Sequence, residues 1–206
     1  MKCLDRLDAY VDGAEDSLKR YFAADGDKPQ FTGSQFDRLF AGDDWQTAPN
    51  AFECCDLVAV KTLDVEVPAH ASLQLLGSYG DARSRLAELL SGIELRATLE
   101  SPDGRDLLFD DESAVWRSWR LLREFEGVGD ATAAKLLARK RPHLVPISDS
   151  VVRGVAGRGT SWWRCVARYF ESEERVDRLR GARDAAAPSA LPLARVLDIA
   201  VWMQAR

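Results

Sequence analysis

Gly127 and Gly129 flank a single apolar residue, Val128, and Asp149 follows the second glycine after 20 residues. Glycine accepts a positive φ and lets a second backbone come close, so this triplet between two helix-forming runs predicts a tight hairpin. Asp130 is expected to cap the second helix, which Thr132 helps to open and whose body holds Ala133, Ala134, Leu136 and Leu137. Amide groups left unpaired at such a helix start suit a phosphate oxygen, and Lys135, one turn along, adds charge. Arg139, Lys140 and Arg141 precede Pro142, which stops the helix. Leu144 to Ile147 is then an extended connector, and a third helix from Ser150 to Val155 puts Asp149 within a residue of its N-terminus. There the helix dipole favours an ionised carboxylate. Such a group stabilises the positive charge that builds on a sugar as an N-glycosidic bond breaks, or takes the proton of an attacking water. Plainer readings stand beside these: the hairpin as an ordinary helix-helix turn, Asp149 as a helix cap.

This order of helix, Gly-Val-Gly hairpin, helix, proline-containing connector and aspartate resembles the helix-hairpin-helix DNA glycosylase superfamily. The likeness covers roughly residues 112 to 157. It implies a hairpin that grips one DNA strand without reading its sequence, with Gly127, Val128, Gly129, Thr132, Lys135, Arg139, Lys140 and Arg153 as DNA-binding residues and Asp149 as the catalytic residue. Members with lyase activity carry a lysine two residues after the second glycine. This chain has Ala131 there, so a Schiff-base lyase step is not expected. Members with an iron-sulfur cluster carry four closely spaced cysteines, which Cys3, Cys54, Cys55 and Cys165 do not match. No cofactor and no metal are expected. The string AAKLLARKRPHLVP, with the FTG and DLVAV segments, also resembles an uncharacterised bacterial protein family.

Charge is divided unevenly along the chain. The net is −5, with residues 1 to 112 at −12 and residues 113 to 206 at +7. Between 113 and 170 there are 11 basic and 4 acidic residues, so the positive excess lies around the hairpin. A local basic face is what phosphate binding requires, and double-stranded DNA is the partner it points to. A GC-rich genome would equally explain why 22 of the 28 basic residues are arginine. With His70 and His143 alone, a zinc site or a Ser-His-Asp triad has little to build on. Four irregularly spaced cysteines read as reduced thiols. No run is long enough to span a membrane and the N-terminus does not read as a signal peptide, which makes a cytoplasmic protein the expectation.

The fold class read from periodicity is mostly α, with little or no sheet: an acidic, mainly helical lobe over residues 1 to 110 and a helix-hairpin-helix lobe with closing helices over 111 to 206. The first helix runs over 2 to 24 with a bend at Gly13, and a short helix carries Phe36, Leu39 and Phe40. Further helices are expected from Asp56 as N-cap, over 82 to 90, over 93 to 99, and from 110 to about 125, where Val115, Trp116, Trp119 and Leu122 form the apolar stripe. Residues 101 to 105 read as a loop, and Gly157 to Gly159 as a break. Ser161 opens a helix holding Trp162 and Trp163, a charged run follows, and Leu193 to Gln204 closes the chain. Trp116, Trp119, Trp162 and Trp163 are candidates for a pocket that takes a flipped base, although their helical spacing equally suits core packing. Phe31, Trp45 and the N-terminal carboxylates could shape that pocket for a damaged or modified base, including the bulky bases of phage genomes. The reading is a monofunctional DNA glycosylase, serving repair or antiviral defence. The alternatives are a non-catalytic DNA-binding module whose acidic half binds a protein, and a glycosidase for free nucleosides.

Overall fold

The computed structural model describes residues 3–39, 48–156 and 161–206, and within them the chain is mostly α. Trp45, Phe40 and the Gly157 to Gly159 break lie outside the described residues. In chain order the helices are α1 (Cys3–Asp12), α2 (Ala14–Tyr21), α3 (Cys54–Lys61), α4 (Ala69–Leu75), α5 (Ala82–Ser91), α6 (Pro102–Phe109), α7 (Ala114–Arg123), α8 (Asp130–Lys140), α9 (Ser150–Ala156), α10 (Trp162–Tyr169), α11 (Glu173–Ala186) and α12 (Leu193–Ala205). Sheet among the described residues is one antiparallel pair, β1 (Ala24–Asp25) with β2 (Lys28–Pro29), followed by a 3-10 turn at Thr32–Gln35.

Local chemistry explains most boundaries. Gly13 separates α1 from α2, where the sequence suggested a bend. Ser113 caps α7 by accepting from the Trp116 amide, and Ser172 caps α11 by accepting from Arg175. Two expectations fail. Residues 93 to 99 form turns instead of a helix, and the predicted loop over 101 to 105 is the start of α6. Ser101 accepts from the Gly104 amide and Pro102 occupies the first helical position, where its missing N–H costs nothing. Asp56 is likewise not an N-cap. Glu53 holds that place, and Asp56 sits three residues in, accepting from the Glu53 amide at 2.9 Å.

Residues on both sides of position 110 share one apolar cluster that runs from Leu7 to Met203. Helices α1 and α2 lie against α9, α11 and α12, while α3 packs on α8 and α5 on α7. Cys3 and Cys165 form a disulfide between α1 and α10, which corrects the expectation of reduced thiols; spacing in sequence is blind to that contact. Cys54 and Cys55 remain free.

Helix α8 runs through the middle, and Thr132 to Lys140 are all buried. Arg141, at its end, is 1 % exposed and gives its guanidinium hydrogens to the carbonyls of Pro49, Leu90 and Ile93 and to Asn50 Oδ1. Burial pulls its pKa down to about 10, and these acceptors keep a buried cation satisfied.

Candidate functional site

The hairpin forms as its glycines predict, though the two differ in role. Gly127 has φ +77°, and a Cβ there would stand 2.7 Å from Pro68 Cγ, so the turn is pressed against the N-terminal half. Gly129 is extended, caps α8 in place of Asp130, and faces open space. Val128, between them, is buried.

The basic cluster does not make the face its composition suggested. Arg139 is 5 % exposed and donates to the carbonyls of Phe36 and Leu39 at 2.7 and 2.8 Å and to Asp56 at 3.3 Å. Lys140 pairs with the other Asp56 oxygen at 2.5 Å and donates to Ala48 O. Lys135 donates to Leu63 O at 2.8 Å, and burial lowers its pKa, with Asp149 and Asp64 pulling the other way. Assignment of Arg139 and Lys140 to DNA binding is therefore corrected: they are spent on backbone carbonyls and on Asp56, where solvent and phosphate do not reach. Thr132 and Val128 are withdrawn from direct contact for the same reason. Arg153 is exposed, yet Asp130 holds it at 2.7 Å, as it holds Arg123 at 2.6 Å.

The tryptophans pack on one another. Trp116, Trp119 and Trp163 have ring centroids 4.7 to 6.1 Å apart, and Trp163 donates to Pro146 O at 2.8 Å. Trp162 and Trp163 are both buried, because α10 is covered by α1, α6 and α9. Their shallow cleft is bordered by Ser148, Arg153 and Asp130.

Asp149 opens a different and larger space. It lies on the wall of a cavity of about 690 Å³ shared by α2, the segment from Gln30 to Gly33, the end of α3, α8, the start of α9, and α12. Its Oδ1 accepts from the Val151 and Val152 amides at 2.9 and 3.1 Å, so it caps α9. Among the described residues no hydrogen bond is made to its Oδ2. Aromatic residues line the same space: Tyr21 stacks on Phe31 at 5.7 Å, Trp202 stands edge-on to both, and the Arg206 guanidinium lies 4.7 and 4.5 Å from the Phe31 and Trp202 rings. Gly33 is required here, since any Cβ would overlap the Tyr21 hydroxyl.

Two lining residues from α12 were not anticipated. Arg195 and Asp198, both nearly fully buried, stand 3.7 Å apart (Nη1 to Oδ2), and Arg195 also pairs with Asp37 at 3.1 Å. The Ile147 amide donates to Asp198 Oδ2 at 2.7 Å, while Asp198 Oδ1 and Arg195 Nη2 have no partner among the described residues. Burial raises the Asp198 pKa to about 8 against the opposing pull of Arg195 and the Ile147 amide. Burial works against the Arg195 charge, and Asp37, Tyr21 and Asp198 together outweigh it. The signal in the sequence was an acid and a base three residues apart in the otherwise apolar LARVLDIAVW. Among the described residues no group of three His, Cys, Asp or Glu side chains could hold a metal ion, and no helix is long and apolar enough to cross a membrane.

A family model described as a family of unknown function, DUF6308, matches residues 14–205. No curated protein and no solved structure matches the chain.

Proposed function

We propose that this chain, which belongs to the DUF6308 family, is a monofunctional DNA glycosylase that takes an extruded base into the cavity beside Phe31 and Trp202 and hydrolyses its N-glycosidic bond with Asp149. The observation that supports this reading is the placement of Asp149. One of its oxygens is fixed by two helix amides, the other makes no hydrogen bond among the described residues, and the group faces a space of the size that ligand pockets have. Aromatic rings lining that space suit the faces of a base. The ionised carboxylate would stabilise the charge that develops on the sugar and take a proton from water, leaving an abasic site. Ala131 lies on the same wall where a lyase would need its lysine, so the strand would stay uncut. Gly129, exposed at the head of α8, and the exposed Arg117 of α7 are the surface left to meet the backbone.

A second reading gains from the burial of Lys135, Arg139, Lys140 and Arg141. Those cations were the main sequence argument for DNA, and their use inside the fold favours an N-glycosidase for free nucleosides.

One experiment separates the two. Duplexes carrying damaged, methylated, hydroxymethylated or glucosylated bases are incubated with the protein, treated with hot alkali and sized, while free nucleosides are followed by chromatography. We expect alkali-dependent cuts in one duplex, reduced about 100-fold or more in Asp149→Asn. Asparagine caps helices as well as aspartate, so this variant should stay folded. Release from nucleosides alone would select the second reading. DNA binding without release from any substrate would retire both and leave a DNA-binding module.

A further inference from the structure

Asp149 is not the sole carboxyl group on the cavity wall. Asp198 reaches it from α12, and its two oxygens are treated differently. Oδ2 is occupied by the Ile147 amide and by Arg195; Oδ1 is buried and has no hydrogen-bond partner among the described residues. An ionised oxygen without a partner in that position is expensive, whereas a protonated carboxyl keeps its hydrogen available for an incoming acceptor. The groups around it do not supply enough positive charge to change this. Arg195 is shared with Asp37, Lys135 is turned to the Leu63 carbonyl, Tyr21 is neutral, and Asp149 and Asp37 both oppose a further negative charge.

We infer that Asp198 is the proton donor to the leaving base, in the same reaction in which Asp149 serves the attacking water. This rests on the reading of the site as an N-glycosidic hydrolase and assigns its second catalytic residue. A neutral base is a poor leaving group until a ring nitrogen or carbonyl oxygen is protonated. As the C1′–N bond breaks, its electron pair passes to the base while the base takes the carboxyl proton of Asp198. Water adds to C1′ and gives its proton to Asp149. The products are the free base and a sugar with a C1′ hydroxyl, and the two carboxyl groups have exchanged protonation states, which solvent restores. A buried carboxyl group that keeps its proton, beside a second carboxyl group in the same site, fits the usual division between acid and base.

The test uses two leaving groups. Single-turnover release is measured for a neutral base and for 7-methylguanine, which is already cationic and needs no proton donor, in wild-type protein and in Asp198→Asn. Asparagine can still accept from the Ile147 amide. The expected result is a loss of about 100-fold for the neutral base with the cationic base changed by less than about threefold. In the wild type, release of the neutral base should fall as pH rises past about 8, a limb that the cationic base lacks. Equal losses on both bases, or a neutral-base profile without that limb, would overturn the inference while leaving the role of Asp149 intact. Release of the cationic base alone would overturn it as well, since no acid would then be in use. Absence of release from either would sink it together with the glycosidase reading. Should Asp198→Asn fail to fold, the wild-type pH profiles on the two leaving groups decide the matter alone.

Discussion

Asp198 should make the stability of the chain fall as pH rises from about 4 to about 8. Its carboxyl ionises near the ordinary value of 3.8 in the unfolded chain and only near 8 in the folded one. Between those values the native state holds the extra proton, so its stabilisation is complete below the unfolded pKa and is lost as pH climbs through the folded pKa. Burial sets this, with Asp149 and Asp37 adding to it and Arg195 and the Ile147 amide opposing it. Melting temperatures of wild type and Asp198→Asn, taken from pH 4 to pH 9, should show the wild type losing ground steadily up to about pH 8 and running parallel to the variant above it. A constant offset would mean that Asp198 is ionised throughout. Asp149 was legible in the sequence because its neighbours, a proline-marked connector and a short helical run, fix its place at a helix start. The partner on α12 was not, because nothing local ties residue 198 to residue 149. Arg139 and Lys140 were misread for a related reason: counting charge along a chain cannot see that Asp56 and the Phe36, Leu39 and Ala48 carbonyls are waiting for them.

At the scale of elements, the hairpin offers a contrast between two glycines that look alike in sequence. Gly127→Ala puts a Cβ on a residue with positive φ and drives it into Pro68, and both penalties act on the folded state. Gly129→Ala adds a Cβ to an extended residue with nothing within 4 Å. Chemical denaturation should therefore show Gly127→Ala losing about 2 kcal/mol or more, and Gly129→Ala losing about 1 kcal/mol or less, the cost of a poorer cap. Equal losses would mean that the Pro68 contact is not made. The same contrast explains what was readable. Helices α1, α2, α7, α8, α10 and α12 follow from apolar periodicity and from caps within a few residues. Helix α6 was missed because Pro102 and Gly104 read as breakers, although the proline sits at the one turn that tolerates it. Of the aromatic wall only Phe31 was named from the sequence; Tyr21 and Trp202 join it only when α2 and α12 pack together.

For the whole molecule, helices from both sides of residue 110 pack together. Helices α1 and α2 pack on α11 and α12, and the cavity takes residues from Tyr21 to Arg206. The Cys3–Cys165 disulfide makes the closure covalent across a sequence separation of 162 residues. On a chain-entropy estimate, a loop of this length limits the unfolded state by about 5 kcal/mol, an upper figure, since engineered and native bonds often deliver less. Reduction should therefore lower the melting temperature by several degrees without changing the helical signal of the folded protein. The double variant Cys3→Ser with Cys165→Ala should match the reduced wild type and ignore reductant. The apolar packing of α1 on α9 and α12 is independent of the bond, so the cavity and any base release should survive reduction at temperatures below the new midpoint. Activity lost in step with the thiols, while helicity and melting remain unchanged, would show that the bond holds the site in shape and that packing alone does not.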